Sequence, residues 1–455
     1  MDLASPLGVT AAISQVRQPL RSTGYLAALT VMWSALSFHW TIINNNVVPT
    51  RVLSFASEDT KGSVLGLVTV CGALVAMLTG PLVGVLSDES RLPWGRRRPF
   101  LAVGIVFNCV ALLALIGTHT LATFILAFLA VQLCANAAGS PYTALIPDQV
   151  PDLQKGRATG FAGFAEVLGR LAGAILGGYL IALPGAAAAI GALLFFLPAA
   201  LRAQPMLPVM LLIIVVTVAT MLFTLWQVRE DVPSTPPNAS GKSLLWRAFT
   251  FDVRAEASFA WLLGARACNM LAINTIVTFL LYYVRDYLGF TDIAEANARL
   301  GYLFAVSSLT TLPSSLIVGY IVDRQQRRKP WVYGSSAGLA LVCVAFVVID
   351  HFSSALLTGA LFGLCYGAYF TADWALALAL LPKGDAAAKY MGIWGIAGAF
   401  PQVLAPGIGG VLLDTFNRLG HNWGYPVVFA TVVVYLLAGT IMLVKVDEPT
   451  VLERA

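Results

Sequence analysis

The chain has 455 residues, of which 58% are hydrophobic and only 11% are charged, and its mean hydropathy is +0.79. A soluble protein carries roughly a quarter of its residues as charges, so this composition excludes soluble, secreted, disordered and nucleic-acid-binding chains. The net charge of +5 comes from Lys and Arg residues in the loops. The apolar residues form runs of about 20, the length with which a helix crosses a bilayer. We therefore predict an all-α membrane protein with many membrane-spanning helices.

Twelve apolar segments are long enough to span the bilayer. Lys and Arg concentrate in alternate loops, which predicts that both termini are cytoplasmic. The apolar segment 186–201 is only sixteen residues long and contains Pro198, so we expect it to lie at the outer interface and not to span. The predicted spans lie near 24–43, 62–86, 99–118, 121–146, 160–182, 206–228, 258–284, 298–322, 331–350, 353–381, 389–412 and 424–445.

The two halves of the chain resemble each other. A Gly-x-x-x-Asp sequence at 84–88, followed by a basic run ending in proline, recurs at 319–323 with a second basic run. Such a repeat predicts two six-helix bundles with a binding site between them at mid-depth. A stretch rich in Pro and Ser separates the halves and is typical of a linker. The predicted segments are a cytoplasmic N-terminus (1–23), an N-terminal bundle (24–228), a cytoplasmic linker (229–257), a C-terminal bundle (258–445) and a cytoplasmic tail (446–455).

Two motifs resemble those of a known family. The loop SDESRLPWGRRRPF (87–100) and the helix NAAGSPYTALIPD (136–148) are similar to the major facilitator superfamily, and within it to the sucrose transporters and the related glycoside–cation symporters. The resemblance implies a secondary transporter, not an enzyme, that moves a sugar or glycoside with a proton by alternating access across the cytoplasmic membrane. It also places Arg170 near the position of a sugar-binding arginine in these relatives.

The basic loops predict a gate as well as a topology. Asp88 lies at the end of the second predicted span and faces three successive arginines, with which it can form charge-assisted hydrogen bonds. We expect such contacts to join the two halves in the outward-open state and to break in the inward-open state. The simpler alternative is that the arginines only set the topology. The candidate gating residues are Asp88, Arg96, Arg97, Arg98, Asp323, Arg327 and Arg328.

Only four charged residues lie well inside the predicted spans. Each costs roughly 2.5–3.5 kcal/mol at a helix centre, so each should face the bundle interior or water. Glu166 and Arg170 are one helical turn apart and form a favourable pair. They either neutralise each other, or Arg170 binds the solute while Glu166 holds it or carries a proton. Arg266 lies nearer the inner face, and we expect it to extend to the cytoplasm.

The fourth residue, Asp373, is the first candidate for proton coupling, and Glu166 is the second. No basic residue lies at helical spacing from Asp373 in its own span, so its partner must come from another helix. Desolvation favours its protonated form; a structural interhelical bond is the alternative. Gln132 occupies the place of an acidic residue in the sucrose transporters and cannot titrate. Either coupling has moved to another carboxylate, or the protein is not a proton–sucrose symporter.

Amide and aromatic side chains in the spans suit a polyol, which needs directional hydrogen bonds and flat apolar contacts. For the tryptophans, packing is the alternative, and we expect Asn44 to Asn46 near the outer end of the first span, where they would cap the helix. The candidate substrate-binding residues are Gln132, Asn136, Arg170, Trp40, Asn44, Asn274 and Trp374.

The remaining expectations concern partners. Six cysteines without CxxC spacing and the absence of a phosphate-binding Gly-x-x-x-x-Gly-Lys-Ser/Thr loop predict no metal, no cofactor and no ATPase activity. The expected partners are a small polar solute, protons and the lipid bilayer, with the protein acting as a monomer. Two rival functions stay open: a proton-driven exporter of lipophilic or drug-like molecules, which predicts a broad apolar cavity, and a membrane sensor or assembly factor without transport.

Overall fold

A computed structural model describes residues 20–90, 92–183, 185–194, 198–202, 204–228, 230, 257–325, 327–349, 351–380 and 387–448. These residues are almost entirely helical and include no strand. Within them, twelve helices are long and apolar enough to cross a membrane, as predicted. Numbered as spans 1 to 12 they are Thr23–Val52, Lys61–Ser87, Arg98–Ile116, Leu121–Ile146, Arg157–Ala182, Leu207–Gln227, Ala257–Tyr287, Ile293–Val322, Lys329–Val348, Phe352–Leu380, Ile393–Leu419 and Gly424–Val444.

The segment between spans 5 and 6 contains two short helices, Ala186–Leu193 and Ala199–Arg202. Eight residues rise only about 12 Å, which is less than half the thickness of the hydrocarbon core. Neither described helix is therefore long enough to span, and the placement of segment 186–201 at the outer interface stays a prediction. Most of the predicted linker, and the ends of both predicted termini, lie outside the described residues.

The starts of spans 3 and 9 show the internal repeat at atomic detail. Each has a proline in its first turn, where the missing backbone N–H is not needed. At each start a carboxylate accepts a hydrogen bond from a backbone N–H that the helix leaves unpaired. Glu230 accepts from Arg97 at 2.8 Å, and Glu448 accepts from Arg328 at 2.8 Å. The negative charge of each carboxylate also interacts favourably with the positive, N-terminal end of the helix dipole.

Glycines allow the helices of each half to approach closely. In span 5, a Cβ at Gly169 would lie 2.0 Å from the carbonyl oxygen of Ser34 in span 1. In span 11, a Cβ at Gly398 would lie 3.0 Å from the guanidinium of Arg266 in span 7. Spans 1 and 5 are therefore packed nearly backbone to backbone, as small residues allow in membrane helices, whereas Gly398 of span 11 leaves room for the side chain of Arg266.

The two halves meet at one end of the bundle. We call the face with the start of span 1 and the end of span 12 the terminal face, and the opposite one the far face. Near the far face, a Cβ at Gly66 in span 2 would lie 2.5 Å from the carbonyl oxygen of Pro406 in span 11. In the same way, a Cβ at Gly178 in span 5 would lie 2.4 Å from the carbonyl oxygen of Asn297 in span 8.

Toward the terminal face the same helices separate. A side chain added at Gly80 in span 2 or at Gly163 in span 5 would meet no described atom within 4 Å. The halves are therefore packed together at the far face and separated by a cleft that widens toward the terminal face.

Candidate functional site

Three adjoining cavities lie between the halves. Cavity A, of about 550 Å³, is formed by spans 1, 2, 4 and 5, and cavity B, of about 380 Å³, by spans 1, 2, 4, 7 and 11. Cavity C, of about 210 Å³, is formed by spans 1, 5, 7, 8 and 10. Asn45 lines all three cavities, and Arg170 lines cavities A and C. Together they form one central site to which both halves contribute.

Six of the seven candidate substrate-binding residues line these cavities. The seventh, Trp374, lines none of the three; its ring packs edge-on against Trp394, with centroids 4.6 Å apart. The six residues in the cavities are Trp40, Asn44, Gln132, Asn136, Arg170 and Asn274.

Span 1 brings its asparagines to the centre of the protein. The expectation that they cap its outer end is wrong, because the helix continues to Val52 through a π-helical turn at Ile43–Val47. The wider turn is a feature frequent at functional sites. Asn44 and Asn45 line the cavities, whereas Asn46 is 1% exposed and donates to Asn297 of the other half at 2.9 Å. The asparagines therefore lie inside the bundle, along the cavities or paired with the other half, and do not end the helix.

Glu166 and Arg170 form the predicted intrahelical ion pair. The guanidinium donates to the carboxylate at 2.8 Å, and each side chain is 40% exposed. Both residues line cavity A, and Arg170 also reaches cavity C. The pair is thus a charged group in contact with the central site and accessible to water.

Hydrogen bonding gives the cavity wall a definite polarity. The hydroxyls of Thr41 and Ser307 donate to backbone carbonyls at 2.7 and 2.8 Å. The side-chain amides of Asn136 and Asn274 donate to carbonyls one turn earlier at 2.8 and 2.7 Å. These bonds occupy donor hydrogens and leave oxygen lone pairs available. These four side chains therefore present acceptor oxygens to the cavities, and Arg170 presents a charged donor.

Asp373 and Arg266 form a second ion pair, buried within the C-terminal half. Asp373 is 1% exposed and Arg266 is 5% exposed, and the guanidinium also lies 3.4 Å from the ring centroid of Trp394. The expectation that Arg266 extends to the cytoplasm is wrong, because spans 10 and 11 offer it a carboxylate and an aromatic face. The expectation that Asp373 finds its partner on another helix is confirmed. Asp373 does not line cavities A, B or C.

The candidate gating arginines make their described contacts within their own halves. Arg96 and Arg97 pair with Asp148 at the end of span 4, at 2.7 and 3.1 Å. Arg98 donates to the carbonyl of Leu225 at 2.6 Å. This arrangement agrees with a cleft that is open at the terminal face.

The other candidate gating residues lie in the second half and at the end of span 2. Arg328 pairs with Glu448 at 3.4 Å, and Arg327 is exposed. The side chains of Asp88 and Asp323 lie outside the part of the chain that the structure describes. Their predicted role in joining the halves therefore stays a prediction.

Charged residues that sequence reasoning missed join the halves at the far face. Lys61 of span 2 pairs with Asp286 of span 7 and with Glu58, and Arg285 donates to Glu58 at 2.7 Å. Hydrogen bonds from Arg285 and Lys61 lower the pKa of Glu58 to about 2, so the carboxylate is charged at neutral pH. The signal in the sequence was the position of these residues at the ends of spans 1, 2 and 7.

A cross-half helix cap completes the far-face contacts. The buried carboxylate of Asp414 in span 11 accepts hydrogen bonds from the backbone N–H groups of Gly62 and Ser63, at 2.9 and 2.6 Å. These groups start span 2 and have no partner within their own helix. Opening of the far face must break this cap.

The chain matches the sequence model of a known protein family. The sequence model of the Major Facilitator Superfamily matches residues 22–388 and, in a second alignment, residues 298–454. Together the two matches cover nearly the whole chain.

Curated relatives match only short stretches. Over 46 residues the chain is 39% identical to sucrose transport protein SUT1 of Oryza sativa subsp. japonica, which is 10% of this chain and 9% of that protein. Over 77 residues it is 36% identical to sucrose transport protein SUT4 of Oryza sativa subsp. indica, 17% of this chain and 13% of that protein. The matched part thus spans only about a tenth of the length of these relatives.

Solved structures share the fold over more than nine-tenths of the chain. A bacterial homologue of the human lysosomal transporter Spinster, inward-facing and unoccupied, superposes with a TM-score of 0.67 at 16% identity, covering 93% of this chain and 96% of that one. A D-xylose–proton symporter gives 0.66 at 16% identity, covering 94% and 99%. The nucleoside transporter NupG gives 0.64 at 13% identity, covering 92% and 99%.

Proposed function

This chain belongs to the Major Facilitator Superfamily and is a membrane transporter, not an enzyme, and we propose that it carries a sugar or glycoside together with a proton. The observation that carries the proposal is the central site between the halves. There a water-accessible Glu166–Arg170 pair lies beside a wall of amide and hydroxyl oxygens.

The polarity of the wall supports a polyol as the solute. Sugar hydroxyls are good donors, and they meet acceptor oxygens of side chains such as Thr41, Asn274 and Ser307. Sugar oxygens in turn accept from the guanidinium of Arg170. The short matches to proteins named as sucrose transporters and the fold shared with a D-xylose–proton symporter point in the same direction.

For the proton we propose Glu166 as the first carrier and Asp373 as the second, which reverses the order expected from sequence. A carrier must exchange protons with water, and Glu166 is 40% exposed at cavity A, whereas Asp373 is 1% exposed. While ionised, Glu166 holds the guanidinium of Arg170. Protonation neutralises the carboxylate and releases the guanidinium donors to the solute. Solute and proton then bind together, as symport requires.

We further propose that the terminal face is cytoplasmic and that the structure is inward-open. The charges of the loops support this orientation. In the outward-open state the far-face contacts would break, and the loop arginines with Asp88 and Asp323 would join the halves at the cytoplasmic face. The transporter would then act as a monomer in the cytoplasmic membrane, with each six-helix half moving as a rigid body around the central site.

Reconstitution tests this function. Purified protein in liposomes is supplied with labelled sucrose, maltose or xylose, with and without an inward proton gradient. We expect accumulation of at least one sugar that depends on the gradient. Uptake that ignores the gradient would overturn proton coupling. Extrusion of a lipophilic dye without sugar uptake would favour an exporter, and no flux of either kind would favour a sensor or assembly factor.

A further inference from the structure

Four aromatic side chains follow one another at every fourth position of span 10. They are Phe362, Tyr366, Phe370 and Trp374, and successive ring centroids are 5.9, 6.1 and 6.1 Å apart. Four residues of helix rise about 6 Å, so the rings form one row about 18 Å long. We call this row the aromatic ladder.

The ladder begins in the central site and runs toward the terminal face. Phe362 and Tyr366 line cavity C, and their rings are nearly parallel, with an angle of 3° between their planes. Span 10 begins at the far face, so Phe370 and Trp374 lie successively nearer the terminal face. Their side chains are 38% and 41% exposed. The row is therefore continuous with the cavity and stays accessible beyond it.

The ladder does not share the outward-facing side of span 10. That side carries three exposed leucines, Leu357, Leu361 and Leu364, which lie between about 100° and about 160° around the helix from Phe362. Packing against span 8 covers a third side, where a Cβ at Gly363 would lie 2.1 Å from the carbonyl oxygen of Ser307. Phe362 and Tyr366 thus face the cleft between the halves, and Phe370 and Trp374 continue the same row away from the leucine side.

The end of the ladder nearest the terminal face, Trp374, is packed against a neighbouring helix. Trp374 meets Trp394 at an interplanar angle of 83°, and Arg266 lies against the ring of Trp394. Trp394 is 4% exposed, whereas Trp374 is 41% exposed. The outermost ring thus keeps a fixed orientation while much of its surface is accessible.

We propose that the aromatic ladder is a track of stacking sites for sugar rings between cavity C and the terminal face. The inference rests on the proposed function. One face of a pyranose ring consists largely of C–H groups, which stack on aromatic rings while the hydroxyls stay in water. Steps of about 6 Å let a sugar contact the next ring before it leaves the last. A sugar on the track therefore moves between the rings without being released fully into the water of the cleft.

Leucine substitutions of the two lower rings test the track. In proteoliposomes that take up one of the labelled sugars sucrose, maltose and xylose, Phe370→Leu and Trp374→Leu should raise the apparent KM measured from the terminal face about tenfold, equivalent to about 1.4 kcal/mol. The KM from the far face should stay within about twofold of wild type, which also shows that the variants fold. Trp374→Phe should restore most of the affinity.

A matched control is Trp226→Leu, which removes an aromatic ring that is 73% exposed on span 6. The control should leave both KM values unchanged. An unchanged terminal-face KM in both ladder variants, or an equal rise in the control, would overturn the track and leave the proposed function standing. Absence of sugar flux in the wild type would overturn the proposed function and the track together.

Discussion

The contribution of a buried charged residue to the stability of the protein depends on its partner. Asp373 and Arg266 have both left water, and their attraction and the ring of Trp394 offset this desolvation. Removal of one partner leaves an uncompensated buried charge, whereas removal of both leaves an apolar site. The pair is therefore sensitive to single substitutions and tolerant of a matched double substitution.

We predict that Asp373→Ala lowers the free energy of unfolding by about 3–5 kcal/mol and that Arg266→Met with Asp373→Leu recovers most of it. Thermal unfolding of the detergent-solubilised protein measures both changes. A single variant as stable as wild type would contradict the buried pair. If the double variant also accumulates sugar against a gradient, Asp373 has only a structural role.

Residue properties that depend on a single helix were predictable, and those that depend on neighbouring helices were not. The spacing of Glu166 and Arg170 was sufficient to predict their pairing. The environment of Arg266 is formed by spans 10 and 11, and its position in the sequence does not reveal that these helices surround it. Asn46 was misread for the same reason, because its partner Asn297 lies in the other half. Ser307 and Tyr366 entered the site only through the packing of spans 8 and 10.

At the scale of helices, hydropathy located all twelve spans, but spans 1 and 11 extend well beyond their predicted ends at 43 and 412. The run of asparagines suggested that span 1 ends near 43, but the helix reaches Val52. Apolar runs define the helix segments that face lipid, whereas a helix surrounded by other helices can carry polar residues. The far-face contacts escaped prediction because they pair helices that are distant in sequence.

The close approach of spans 2 and 11 gives a prediction at this scale. Gly66→Ala places a methyl group 2.5 Å from the carbonyl oxygen of Pro406, so we expect the far face to open more often. Gly80→Ala in the same span meets no described atom within 4 Å and serves as the control. A cysteine at Asn45, in a background without the six native cysteines, should be labelled from the far face several-fold faster in the Gly66→Ala protein. Equal labelling of both variants would contradict the packing at the far face.

For the whole molecule, the internal repeat predicted the two halves, and the structure extends it to the carboxylates that start spans 3 and 9. The sequence could not predict which conformation the chain adopts, because the same internal repeat is compatible with the inward-open and the outward-open state. That choice depends on a balance of contacts at the two faces. In this structure the far face has the cross-half cap from Asp414 and the ion pairs of Lys61.

Glu166→Gln tests most directly whether proton and solute meet at the Glu166–Arg170 pair, because glutamine resembles the protonated carboxyl and cannot titrate. Exchange of labelled for unlabelled sugar and accumulation driven by a proton gradient are measured in the same proteoliposomes. Glu295→Gln is the matched control, since Glu295 and Arg299 form an ion pair of the same spacing in span 8 that does not line the three cavities. We predict that Glu166→Gln keeps exchange near the wild-type rate and loses accumulation, while the control keeps both. Gradient-driven accumulation at the wild-type level in Glu166→Gln would contradict this coupling.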